Sequence, residues 1–217
     1  MTERSPIVRD LGVADYEAVC KAMREFTHLR AADTPDEIWF VEHPPVYTAG
    51  RDARDRGGYI GPIPVIAVER GGDITFHAPG QMVVYPLLDL RRRHLFVKPY
   101  VEILLRTLVE TLSAFGIQTV SHSHAPGVYV PMSGGVGEFK GKAKIASIGI
   151  RISRGCSFHG IALNVKMDLT GFRRIAPCGY SDLRVTDMAS LGAEADLQTI
   201  KTDYCSRLLR ALSAAAQ

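Results

Sequence analysis

The residue best set for covalent chemistry is Cys178, in Ala176-Pro-Cys-Gly-Tyr180. Proline before it and glycine after it keep the backbone irregular and the thiol off any packed face, and exposure is what a nucleophilic thiol requires. The other cysteines differ: Cys20 and Cys205 fall at helix-periodic apolar positions and Cys156 opens an apolar strand. In such settings free cysteine is a small buried hydrophobe. A thiolate also needs a base or a cation beside it. Lys144 opens the otherwise apolar stretch Lys144-Ile-Ala-Ser-Ile-Gly149, so its stem is either buried for a purpose or snorkels to water. Lys140 and Lys142 lie in a polar run and read as solvated, but spacing alone does not choose among the three.

A second constellation is Arg70-Gly-Gly-Asp-Ile-Thr-Phe-His77 followed by Ala-Pro-Gly80. Its glycines let backbone approach a ligand and leave amide donors exposed, as acyl or phosphate groups require. A tight turn with a core histidine explains the same residues. The segment contains neither GxxxxGK[ST] nor GxGxxG and offers no phosphate-binding lysine. His122-Ser-His124 has metal-ligating types and Arg91-Arg-Arg93-His94 has anion-binding ones, but short clusters of either kind are usually solvated loops.

The elements that must position these residues read as an α+β pattern. A helix is expected over Val13 to Ala31, with Tyr16, Val19, Cys20, Met23 and Phe26 on one face and Asp15 as cap. Strands follow at Ile38 to Glu42 and Val46 to Thr48, separated by His43-Pro-Pro45, and Arg51 to Pro64 reads as a mobile surface loop. Pro64 to Val68 is a strand, and Ile74 to His77 and Gln81 to Leu90 read as two adjacent strands bent at Ala78-Pro-Gly80. Val97 to Phe115 is the clearest helix, with Gly116 as its left-handed cap. Val128 to Val130, a glycine-rich loop from Ser133 to Gly141, and a return strand from Lys144 to Ile152 make a hairpin, and Phe158 to Val165 continues it. The chain closes with a short helical or extended piece from Asp187 and a helix bearing Ile200, Tyr204, Leu208 and Leu212. Helices at both ends and the middle, with hairpin-like strands between, imply a mixed sheet flanked by helices rather than regular βαβ alternation.

Length and composition narrow the function classes. At 217 residues one domain over 1–217 is expected, large enough to bury a core without disulfides or metals. The net charge of +3 and 8% aromatic residues, with no interleaving of basic and aromatic positions, argue against nucleic acid and weakly favour an acidic partner. Met1 to Asp10 has no apolar run suited to export, and no stretch is long enough to span a bilayer, so the cytoplasm is expected. The four cysteines form no CxxC pair and read as free thiols.

Together these residues resemble the lipoyl(octanoyl) transferase family. The resemblance is carried by RGGDITFHAPGQ at Arg70 to Gln81, APGVYV at Ala125 to Val130 and KIASIGIRISRGCSFHGIALNV at Lys144 to Val165. MDL at Met167 to Leu169 and PCG at Pro177 to Gly179 complete it. It implies a mixed-sheet fold like the catalytic domain of biotin and lipoate protein ligases. It implies that Cys178 is the acyl-thioester nucleophile and that Lys144 lowers its pKa. It also implies an acyl site lined by Arg70, Gly71, Gly72, Asp73, Ile74, Thr75, Phe76 and His77, by Ser147, Ile148 and Gly149, and by Gly160, Ile161 and Ala162. No metal and no cofactor are implied. Two departures stand out: Ala78 follows His77 where the family usually has glycine, and the insertion from Ser133 to Gly141 is long, a lid or a disordered loop.

The implied reaction is ping-pong acyl transfer without ATP, from octanoyl-acyl carrier protein to a lysine of a lipoyl domain. The implied acceptors are lipoyl domains of 2-oxoacid dehydrogenases and the glycine cleavage H protein, and the implied enzyme is a monomer. Chain-length choice would come from an apolar tunnel, six methylenes giving roughly 5 kcal/mol. Arg91, Arg92 and Arg93 are the expected docking residues for the acidic carrier. Two other readings remain: an ATP-dependent lipoate or biotin ligase, and a non-catalytic acyl-binding module.

Overall fold

The structure, a computed structural model, describes residues 5–54, 57–120, 125–134, 137–176, 179–180, 182–194 and 196–215. Among them, strands β1 (Ile7–Val13), β2 (Glu37–Glu42), β7 (Gln81–Leu87), β10 (Cys156–Asn164), β9 (Lys142–Ser153) and β8 (Gly127–Pro131) form a six-stranded sheet in that spatial order. β1 and β2 run parallel and the remaining pairs antiparallel. A smaller sheet has the order β4 (Tyr59–Ile60), β5 (Ile63–Ala67), β3 (Val46–Ala49), β6 (Ile74–His77). The expected mixed sheet flanked by helices is what the chain forms.

Alternation along the central strands assigns each sheet face to its own helices. Ile38, Phe40, Met82, Val84, Ile161 and Leu163 face α2 (Val97–Ala114) and α3 (Leu197–Ala215), which bury Tyr100, Leu104, Leu108, Leu112, Tyr204 and Leu208 against them. Trp39, Val41, Val83, Tyr85 and Ala162 face α1 (Tyr16–Leu29). The Asp15 side chain caps α1 by accepting from Ala18 N–H at 2.9 Å, and Gly116 follows α2 at φ 76°. Both caps are where the sequence puts them.

Three expectations are corrected. Among the described residues the first element is β1, which lies largely exposed along an edge and runs to Val13, so α1 starts at Tyr16 and not Val13. The stretch from 51 to 64 is not all loop, since β4 and the start of β5 lie in it. β6 and β7 are not neighbours but belong to different sheets, and the bend at Ala78-Pro-Gly80 carries the chain across. Gly80 makes this possible: its φ is 85°, and a Cβ there would lie 1.7 Å from the Lys166 carbonyl oxygen. Gly80 O accepts from both Val165 and Lys166.

The arginine cluster is also reassigned. Arg92 and Arg93 donate to the two oxygens of Asp36 at 2.6 Å each, and Arg30 donates to the same carboxylate. The Arg30, Arg93 and Asp36 side chains are all buried. These arginines fasten the start of β2 to the turn after β7, and of the three only Arg91, 70% exposed, remains presented to a partner.

Candidate active site

Lys144 sits near the start of β9, just beyond the point where pairing with β10 ends at Ala146 and Leu163. There another segment takes the place of β10: Lys144 N–H donates to Arg184 O at 2.8 Å and Lys144 O accepts from Thr186 N–H at 2.9 Å. The stretch beginning six residues after Cys178 is thus stitched to the backbone of Lys144. The lysine is 3% exposed and its Nζ lies 5.6 Å from the centre of the Tyr129 ring, a cation–π contact. Its stem occupies space left by Gly127, where φ is 144° and a Cβ would lie 2.5 Å from Lys144 Cε. Tyr129 is stacked in turn on Phe139, from the Ser133 to Gly141 insertion. Phe139 is fully buried, so that part of the insertion buttresses the wall behind Lys144.

Beside Lys144 runs a cleft of about 60 Å³. Of the expected site residues, the structure brings Arg70, Gly72, Asp73, Ile74, Thr75 and His77 to it from one side. Ser147, Ile148, Gly149, Gly160, Ile161 and Ala162 come from the sheet beneath. Gly71 and Phe76 are not on its wall. Phe76 turns the other way into a core with Tyr47 and Phe172, which also takes the Ala78 methyl. The two glycines do not leave free donors, because Gly71 N–H donates to Ile150 O at 3.1 Å and Gly72 N–H to Asp52 at 3.1 Å. Gly72 is needed for its φ of 82°, and the close approach is made by Gly50, where a Cβ would be 2.1 Å from Gly72 O.

Arg70 and His77 are held by one directional chain of hydrogen bonds. Gln81 Nε2 donates to Asn164 Oδ1 at 2.9 Å, so Gln81 Oε1 accepts from His77 Nδ1–H at 2.7 Å. His77 Nε2 is then left to accept from the Thr48 hydroxyl at 3.3 Å, while Arg70 donates to Thr48 Oγ1 and to Thr48 O at 2.7 Å. Burial, reinforced by neighbouring His43, pushes the His77 imidazole down to about 3. His77 is a neutral ring in a fixed tautomer.

The remaining wall was not assigned to the site from the sequence. Tyr16, Val83, Tyr85 and His159 line the cleft, yet Tyr16 reads as one helix-core position among many, and no local spacing links it to β7 or β10. Tyr85 donates its hydroxyl proton to His43 Nε2 at 2.8 Å, because His43 Nδ1–H is given to Ala14 O at 2.8 Å. His159 has φ 57° and both ring nitrogens are buried without a hydrogen bond; its nearest carboxylate, Glu69, is 3.9 Å away. Cys20, Glu69 and His159 bring three metal-ligating types within 4.8 Å of one another. Arg24 occupies both Glu69 oxygens, however, and burial raises the Cys20 thiol to about 11. That arrangement is an ion pair beside a protonated thiol.

A wider groove of about 1030 Å³ adjoins the cleft and shares Gly72, Asp73 and Ile74 with it. Arg54, Tyr59, Pro126, Arg174, Ala176 and Gly179 also border it. Cys178 itself, like His122 and His124, lies outside the described residues, but Gly179 lies against Asp73. The site is therefore a narrow, mostly apolar slot beside a buried lysine, opening onto a broad groove of mixed polarity.

Residues 15–208 match the family model of the lipoyl protein ligase A/B catalytic domain. The chain is 49% identical over 205 residues to the octanoyltransferase of Burkholderia multivorans, covering 94% of this chain and 81% of that one. It is 46% identical over 209 residues to the octanoyltransferase of Polynucleobacter necessarius, covering 95% and 97%. Among solved structures it is similar to the bipartite lipoate protein ligase of Thermoplasma acidophilum, with TM-score 0.68 and 14% identity over 97% of this chain and 83% of that one. It is also similar to the biotin protein ligase of Aquifex aeolicus, with TM-score 0.55 and 13% identity over 95% and 70%. The fold is thus shared with the ligases, while sequence identity places the chain beside transferases. It belongs to the lipoyl protein ligase A/B catalytic-domain family, among the octanoyltransferases.

Proposed function

We propose that this chain transfers an octanoyl group from octanoyl-acyl carrier protein to a lysine of a lipoyl domain, through a thioester on Cys178. Lys144 as an ammonium stabilises the Cys178 thiolate, which attacks the donor carbonyl. The carrier sulfur leaves with the Lys144 proton, and Lys144 recovers a proton from the acceptor amine as that amine displaces Cys178. The first step exchanges one thioester for another and the second forms an amide, so no nucleotide, metal or cofactor is needed. The whole chain acts as one domain and a monomer, in the cytoplasm.

The observation that carries this reading is the placement of Lys144. It is buried at the cleft, its backbone is bonded to the segment downstream of Cys178, and Ala176 and Gly179, to either side of Cys178 in sequence, border the adjoining groove. The acyl group is supported by relatives named octanoyltransferase along nearly their whole length. A lipoyl domain as acceptor is supported by the Thermoplasma ligase, described with its E2 lipoyl domain. No helix among the described residues is long and apolar enough to cross a membrane. The test is octanoyl-acyl carrier protein mixed with an apo-lipoyl domain and no ATP. The acceptor should gain one octanoyl mass. Transfer only from free octanoate with ATP would instead make the chain a ligase, and acyl binding without transfer would make it a binding module.

A further inference from the structure

The cleft has a defined length, and its two ends differ. The floor is the sheet face where Gly160 pairs with Gly149 and Ala162 with Ser147, four residues small enough to leave a slot. One end is open, since the stretch from Gly72 to Ile74 is shared with the wide groove. The other end is shut by rings. Tyr16, from the first turn of α1, stacks on His77 with centroids 5.7 Å apart and planes 17° from parallel. Tyr85 stands behind, tied to His43 and edge-on to His159 at 6.3 Å.

One internal ruler measures the distance between those ends. Along β6, the advance from Asp73 at the open end to His77 at the closed end is roughly 13 Å at about 3.3 Å per residue. A chain of carbon–carbon bonds near 1.5 Å advances roughly 1.3 Å per methylene, so the slot takes a chain of about eight to ten carbons, the terminal methyl's own bulk included.

We infer that Tyr16, held by its stack on His77, is the stop that fixes the acyl length this chain accepts. Tyr85 is bound into the sheet by its buried hydrogen bond. The Tyr16 hydroxyl has no hydrogen-bond partner among the described residues, so its ring contributes as bulk. A chain shorter than the slot forgoes contact at about fourfold per methylene, and a longer one must displace the ring or leave its carbonyl short of the open end. The inference rests on the transfer reading above and adds to it a residue that sets specificity.

The experiment offers acyl carrier protein loaded with six-, eight-, ten- and twelve-carbon chains in competition, and compares wild type, Tyr16→Ala and Ala162→Val by the mass of the acylated lipoyl domain. Wild type should favour eight carbons. Tyr16→Ala should move the optimum to ten or twelve, with at least a tenfold rise in the twelve-to-eight ratio, and Ala162→Val should move it towards six. Thermal melts establish which variants are folded. If the folded variants keep the wild-type length order while rates fall evenly, or if wild type takes eight and twelve carbons alike, Tyr16 is not the stop. If Tyr16→Ala does not fold, an unchanged profile for Ala162→Val overturns the inference by itself. No transfer of any chain by wild type would remove the underlying reading, and the inference with it.

Discussion

Lys144 reaches the cleft because position 127 has no side chain. A methyl at Gly127 would lie 2.5 Å from Lys144 Cε and 2.6 Å from Ala146 O, at a φ of 144° that L-residues avoid. Gly127→Ala is therefore expected to push the lysine aside and lower transfer about a hundredfold or more, the scale of losing a positioned acid–base group, while costing about 1–3 kcal/mol of stability. Stopped-flow transfer rates beside urea melts would separate the two effects, and near-normal rates would show that the lysine needs no such space. Part of this was legible. The irregular surroundings of Cys178 and the apolar run after Lys144 mark both residues, although choosing Lys144 over Lys140 and Lys142 required the family pattern. Gly127 and Tyr129 sat inside the APGVYV segment as motif letters, and their purpose emerges only when β8 is laid beside β9. His159 likewise stood inside the segment from Lys144 to Val165 as a motif letter, whereas Tyr16 had no signal, because what distinguishes it is the set of rings it meets across the fold.

The elements that hold the site are fastened by a few buried polar hubs. Asp36 receives Arg30, Arg92 and Arg93, and the Arg30 and Arg93 side chains are each 4% exposed. Removing the carboxylate leaves buried guanidiniums unpaired, so Asp36→Ala is expected to lose about 3–5 kcal/mol. The exposed Lys21–Glu25 pair should give well under 1 kcal/mol when broken. Chemical denaturation of both variants makes the comparison, and equal small losses would mean that the hub is not structural. This hub explains why the arginine run misled: three adjacent arginines look like a docking patch until an aspartate more than fifty residues earlier meets two of them. The helices were legible because a 3.6-residue period survives wherever one face is buried. β1 was not, since it is exposed along most of its length and has no alternation to read. β6 and β7 were recognised as strands but placed together, because only contacts with Lys166 and Val165 show the chain crossing between sheets at Gly80.

At the scale of the whole molecule, the site is built on neutral imidazoles. His43, His77 and His159 are nearly completely buried, and burial lowers the pKa of each, His77 to about 3. A histidine lowered in the fold takes up its proton in the unfolded chain first. The stability it permits is complete above its ordinary value near 6.5 and is lost as pH falls towards the folded value. Between about pH 6 and pH 5, above the main carboxylate range, the loss from His77 should approach 1.4 kcal/mol per pH unit, and the lowered His43 and His159 add to it in the same direction. Unfolding free energies measured across that interval test this, and a flat profile would mean that the imidazoles are already charged in the fold. The architecture, a mixed sheet between helices, followed from the order of helical and strand patterns. Its division into two sheets, and the slot between them that makes a transferase site of it, depended on pairings that no local pattern records. The central claim is that an acyl group rests on Cys178 between donor and acceptor. Its most direct measurement is the intact mass of wild type and of Cys178→Ser after brief exposure to octanoyl-acyl carrier protein without ATP and an acid quench. One octanoyl adduct on wild type, removed by hydroxylamine and absent from Cys178→Ser, is the predicted result. An adduct that persists in Cys178→Ser, or transfer to a lipoyl domain by that variant at the wild-type rate, would contradict it.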